Sequence, residues 1–199
     1  DTTESRGLGD VYKRQRESLD GGFLASFEGV VHRLDGVHGH VHLVPHRRPS
    51  VVSSPPRILV RRLKGDGVHD GDEIVPFPED ALHGLALTTA DENGYDGEPW
   101  ELDRELAAHD GVITQSVTLA SEAALLGTPT LLISAAERGF LDRLQREGAP
   151  LFRWRGSGAG DDWPAVQAQF LAGLHLTDAL DSVEWPDAKA QLTNWFGSS

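Results

Sequence analysis

Residues 111 to 134 read GVITQSVTLASEAALLGTPTLLIS. GVITQ is a short apolar run of strand length. SVTLASEAALLG, residues 116 to 127, has the composition of a helix and closes on a glycine. TLLIS, residues 130 to 134, is a second apolar run. Strand, helix and strand in that order predict a crossover between parallel strands, which need such a connection where antiparallel strands do not. The change of period falls at Ser116, Thr118 and Glu122.

The same texture extends outward. RILVRRL (57 to 63), LHGLALTT (82 to 89) and PLFRW (150 to 154) bring the set of apolar runs to five. Runs without polar alternation suit strands covered on both faces, as in a parallel sheet. Helix signals lie between and after them. PWELDRELAAHDG (99 to 111) has acidic residues early and His109 before Gly111, and its Leu102, Leu106 and Ala107 share a face. ERGFLDRLQREG (137 to 148) and DDWPAVQAQFLAGL (161 to 174) follow. The expected fold class is α/β: an open, parallel, Rossmann-like sheet with flanking helices. Between the runs at 57 and 82, GDGVHDGDEIVPFPEDA is rich in Gly, Pro and Asp, so a long loop is expected there in place of a full crossover helix.

Upstream the chain is less regular. Residues 1 to 15, DTTESRGLGDVYKRQ, lack the apolar stretch of a signal peptide and are expected to be a non-native or disordered leader. The LGDVYKRQ portion resembles translated sequencing-adapter sequence. Residues 16 to 56 are expected to connect into the domain, with one or two short strands among alternating His and apolar positions, and residues 57 to 199 to form the domain itself. The 199 residues contain no methionine, so a fragment or a processed product is expected.

Composition excludes several classes. A formal net charge of −13 with only three lysines argues against nucleic acid, whose affinity for proteins comes largely from Lys and Arg neutralising phosphates. No apolar run approaches the length of about 18 residues that spans a bilayer. A cytoplasmic protein is therefore expected. Without cysteine there are no disulfides and no thiolate nucleophile or metal ligand. The chain has no GxSxG elbow, Walker loop, GxGxxG fingerprint or HExxH motif.

In an open parallel sheet, ligands bind where strands end and helices begin, because unpaired N–H groups and the positive end of the helix dipole converge there. Ser116 or Thr118 can cap the helix and face a diphosphate. Glu122, one turn further, can accept hydrogen bonds from a pair of sugar hydroxyls. The same residues also suit a helix that merely caps itself, a role worth about 0.5 to 2 kcal/mol without any ligand.

SVTLASEAALLGTPTLLIS resembles the C-terminal half-domain of GT-B-fold enzymes, in which Ser-Gly-Gly, three residues, Glu-Ala and a Leu-Gly-Thr-Pro turn bind a nucleotide sugar. The likeness is strongest to UDP-N-acetylglucosamine 2-epimerases and to an uncharacterised archaeal and bacterial family related to them, whose EAALLGTP is almost unchanged here. The resemblance covers residues 57 to 135, and 27 to 196 more loosely. It implies that Ser116, with the backbone at Val117 and Thr118, faces the diphosphate of a UDP-sugar-like ligand and that Glu122 faces the ribose. The Gly127-Thr128-Pro129 turn is structural. His69 and Asp70, in the loop GVHDGD, match a His-Asp segment of the related family and are candidate ligand-binding residues. Val117 and Thr118 stand where the enzymes have two glycines, so side chains occupy ground that phosphate needs. GT-B enzymes react their substrates between two Rossmann-like halves. The expected partner is thus a missing N-terminal half, and the chain alone is expected to have no turnover. No catalytic residue, cofactor or metal is assigned.

Other constellations were weighed. His38, His40 and His42 alternate, with His32 and His46 nearby, as zinc or nickel ligands on one strand face would, or as solvated edge histidines. His69-Asp70 also suits an acid/base pair, or an exposed loop. Trp154, Trp163, Trp185 and Trp195 can stack on a base or pin helices to a core. The functional expectation is the nucleotide-sugar-binding half of a glycosyltransferase or sugar-nucleotide epimerase-like protein. The alternatives are a non-catalytic Rossmann-like module and a histidine-rich metal-binding protein.

Overall fold

A computed structural model describes residues 35, 39, 43, 52–64, 74–78, 83–91, 98, 101–157, 160, 162–175 and 187–196. In chain order these form β1 (Arg57–Arg61), β2 (Ala86–Thr89), α1 (Leu102–Ala108), β3 (Gly111–Thr114), α2 (Val117–Leu125), β4 (Thr130–Ile133), α3 (Gly139–Arg146), β5 (Leu151–Trp154), α4 (Trp163–Gly173) and α5 (Ala188–Phe196). The strands make a five-stranded sheet in the order β2-β1-β3-β4-β5, and every pairing is parallel. The fold is α/β and Rossmann-like, and each of the five apolar runs became one strand.

The two faces of the sheet explain those runs. Ile58, Val60, Ile113, Leu131 and Ile133 point to one face and pack with Phe170 and Leu174 of the α4 region. Leu59 and Val112 point to the other, where they meet Leu106 of α1 and Leu119, Ala123 and Leu126 of α2. Leu132 and Leu151 continue that second face under α2 and α3, with Ala120, Phe140 and Leu141. With β3 and β4 buried at every position, polar alternation would have put unpaired side chains into a core. On the first face Phe152 and Phe170 meet edge-on at 6.1 Å, and Trp154 and Trp163 lie 5.0 Å apart. The last two rings seat α4 on the sheet.

Helix ends follow the signals in the sequence. Past α2, Gly127 takes φ 85°; its N–H donates to Ala124 at 3.1 Å, and Thr128 N–H donates to Ala123 at 2.9 Å. That pair satisfies two orphan carbonyls, and a side chain would strain it. His109 ends α1, its ring N–H donating to the Glu105 carbonyl at 2.7 Å. Upstream residues also join the domain. Leu43 packs against both core clusters on the α2 face, and Asp35 pairs with Arg143 of α3 at 2.6 Å. The Asp35 backbone N–H also donates to Oε1 of Gln191 in α5, and Gln191 Nε2 donates back to the Asp35 carbonyl. Among the described residues, no helix is long and apolar enough to cross a membrane.

Candidate functional site

The strand order fixes where a ligand can sit. From β1 the chain passes to β2 on one side, whereas β3 lies on the other side of β1 and leads on to β4 and β5. Connections leaving the C-terminal ends of β1 and β3 therefore diverge. The crevice they leave is the topological switch point of an open α/β sheet. Thr114 ends β3, Gln115 follows, and Ser116 opens α2 at this crevice.

Ser116 is the N-cap of α2. Its Oγ accepts the N–H of Leu119 at 3.4 Å, and its own N–H donates to Thr114 Oγ1 at 3.0 Å. Of the first-turn N–H groups that a helix cannot pair internally, those of Val117 and Thr118 have no partner among the described residues after this cap. These are the two positions whose backbone the GT-B resemblance would turn toward a diphosphate. The Val117 side chain is half-buried and packs with the cluster that holds Phe140 and Leu141. Thr118 is exposed, and Glu122, half-buried, lies one turn further along the same face. Thr118 also accepts the Ser121 hydroxyl through its carbonyl, at 2.8 Å.

The turn after α2 lies at the other end of the helix. Thr128 is fully buried, donates its hydroxyl to Leu106 O at 2.9 Å, and accepts Thr130 Oγ1 at 2.8 Å through its own carbonyl. Gly127, Thr128 and Pro129 hold α2, α1 and β4 together.

The sequence reading missed a set of basic residues. Arg61, Arg62 and Lys64 follow one another out of β1, Arg138 lies between β4 and α3, and Arg155 follows β5. All stand at the C-terminal edge of the sheet, in a chain whose formal charge is −13. Arg61 lies in register with Thr114, and Arg62 places its guanidinium 4.8 Å from the Phe77 ring centroid. RRLK at the end of a predicted strand was the signal that could have found them. Arg153, by contrast, is engaged inside the fold, donating to Asp142 Oδ1 and to Ala136 O.

His69 and Asp70 lie outside the described residues, as do His32, His38, His40, His42 and His46. Among the described residues, no group of three or more His, Asp or Glu side chains is placed to hold a metal. No family model, no curated protein and no solved structure matches the chain.

Proposed function

We propose that this chain is the donor-binding half of a GT-B-type protein and takes a nucleoside diphosphate sugar, UDP-sugar-like in chemistry, at the crevice between β1 and β3. The observation that carries the reading is the pair of N–H groups at Val117 and Thr118, left over by the Ser116 cap at the switch point. Arg61 and Arg62 at the end of the neighbouring strand add positive charge, and Glu122 stands one turn beyond for ribose hydroxyls. In this reading Val117 has turned its side chain onto the α3 cluster, which leaves its backbone to the phosphate. A second Rossmann-like half completes the cleft, and the parent protein is a glycosyltransferase or a sugar-nucleotide epimerase-like enzyme.

Titration calorimetry with UDP tests it. Binding that Glu122→Ala weakens by tenfold or more, and that a chelator leaves unchanged, is the expected result. The cap bond from Leu119 to Ser116 favours a second reading, a module of the same fold whose helix start serves only itself. That reading expects no heat at millimolar UDP, even with the other half supplied.

A further inference from the structure

Gln115 has a side chain that neither the sequence reading nor the donor site uses. It lies one residue beyond β3 and one before the Ser116 cap, and is only 6% exposed. A buried carboxamide is costly unless both of its ends are paired. Here both are. Its Oε1 accepts the N–H of Leu63 at 3.0 Å, and its Nε2 donates to the carbonyl of Val75 at 2.8 Å. Its backbone N–H donates to Arg61 O at 3.1 Å, which extends the β1–β3 pairing by one more bond.

Leu63 lies two residues past β1, and Val75 lies far from it in the chain, so one side chain ties the two backbones together. The Val75 end is held a second time. Ile74 forms an antiparallel bridge with Ser134 at the end of β4, and the buried Val75 side chain lies against Gly156 after β5, where an added Cβ would come within 3.3 Å. Phe77 then reaches back to Arg62. Gln115, next to the first turn of α2, thus ties Leu63 to Val75, whose neighbour Ile74 bridges to the end of β4 and whose side chain meets Gly156 after β5.

We infer that Gln115 is a positioning residue of the crevice: its carboxamide fixes the backbones of Leu63 and Val75, and with Leu63 the adjoining Arg62, at the C-terminal edge of the sheet where α2 begins. The ligand part of this inference rests on the donor-site reading. Neither bond touches the ligand. Gln115 acts through the backbone of Leu63 and Val75; Arg62, next to Leu63 and also held through its N–H by Asp91 Oδ1 at 2.9 Å, is the basic residue that an anion at this edge of the sheet would meet.

The full chain carrying Gln115→Leu, which keeps the volume and loses both bonds, is compared with wild type and with Gln145→Leu. Gln145 holds the Leu151 carbonyl at 3.0 Å away from the crevice. Gln115→Leu is expected to raise amide exchange at Leu63 by tenfold or more while Leu131 and Leu132 stay protected, to speed tryptic cleavage after Lys64, and to weaken UDP by tenfold or more. Gln145→Leu is expected to leave the Leu63 exchange and the UDP affinity alone. Gln115→Glu supplies a readout that packing alone would not move. A protonated carboxyl offers one donor and an acceptor, the two roles that the amide fills here, and burial raises its pKa. Leu63 protection and UDP affinity are therefore expected to be poor at about pH 8 and to recover toward about pH 5.5. Unchanged Leu63 exchange in Gln115→Leu overturns the inference, as does wild-type UDP affinity in a variant whose Leu63 has become labile. If the wild type takes no UDP at all, the donor reading fails; the exchange arms then decide alone whether Gln115 fixes Leu63.

Discussion

Thr128 donates its hydroxyl to the Leu106 carbonyl at 2.9 Å, across 22 positions of chain and with both residues buried. Replacing Thr128 by Val keeps the shape and orphans that carbonyl, a loss of about 1 to 3 kcal/mol. Urea unfolding should show the unfolding free energy fall by that amount, with a lower midpoint and an unchanged slope. Because the turn lies at the end of α2 remote from Ser116, UDP affinity measured on the folded variant should not change.

Asp110, at the opposite edge of the sheet from the crevice, should contribute to acid stability. Burial pushes its carboxyl up, but the N–H of Arg57 at 2.8 Å, the groups of Ser53 and the Arg57 charge outweigh burial and hold the pKa below the ordinary 3.8. A folded value below the unfolded one gives stability that is complete above the unfolded pKa and is lost as pH falls through the folded pKa. Asp110→Asn should lower stability at neutral pH by about 1 to 3 kcal/mol, since the charge-assisted bonds weaken. The deficit should shrink below about pH 4, where the wild type also loses its charge. Thermal melts across that range measure both limbs.

Glycines divide by cause. At Gly173 an added Cβ meets Phe152 Cζ at 2.5 Å and Cε2 at 2.7 Å, so Gly173→Ala should cost about 1 to 3 kcal/mol through overpacking under α4. Gly84 has φ 77° and nothing within 4 Å of the added atom, so Gly84→Ala should cost only the left-handed backbone strain, about 1 to 2 kcal/mol. Restoring space with Phe152→Leu should rescue Gly173→Ala in part. It should do nothing for Gly84→Ala. Calorimetric Tm values of the four variants separate the cases.

Ser116→Ala removes the acceptor for Leu119 and should destabilise the fold by about 0.5 to 2 kcal/mol, whether or not a ligand exists. Only a donor site adds a second effect. If Ser116 also faces a diphosphate, UDP affinity should fall with it; Ser116→Asp, which can still cap, should restore stability while repelling the anion. Equal UDP affinity in all three proteins would count against the role given to Ser116.

The strands and the first four helices were legible because apolar runs, glycine stops and acidic helix starts report local physics. GVIT and TLLI had to be buried on both faces, and they are. Strand order was not legible. Nothing in LHGLALTT says that it pairs outside β1, since register and neighbour are set by packing over distant chain. Exposure along β2, with Leu87 at 44%, also departs from the buried-strand pattern, because an edge strand has less to cover it. At the candidate site, the Ser116 cap was readable from spacing. The Gln115 bonds were not, as their partners lie 52 and 40 positions away and are backbone groups that any residue supplies.

The β1–β3 pairing described above has a mechanical meaning. β3, β4 and β5 follow one another with a single helix between each, whereas Arg57 and Asp110, which meet across the base of β1 and β3, are 53 positions apart. The entropy of closing a long chain segment is concentrated on that boundary. Under denaturant the exposed edge strand β2 should open first, and the loss of β1 from β3 would then release that closure entropy. The proposed ligand straddles the same boundary, so its arrival would act as a rivet across it.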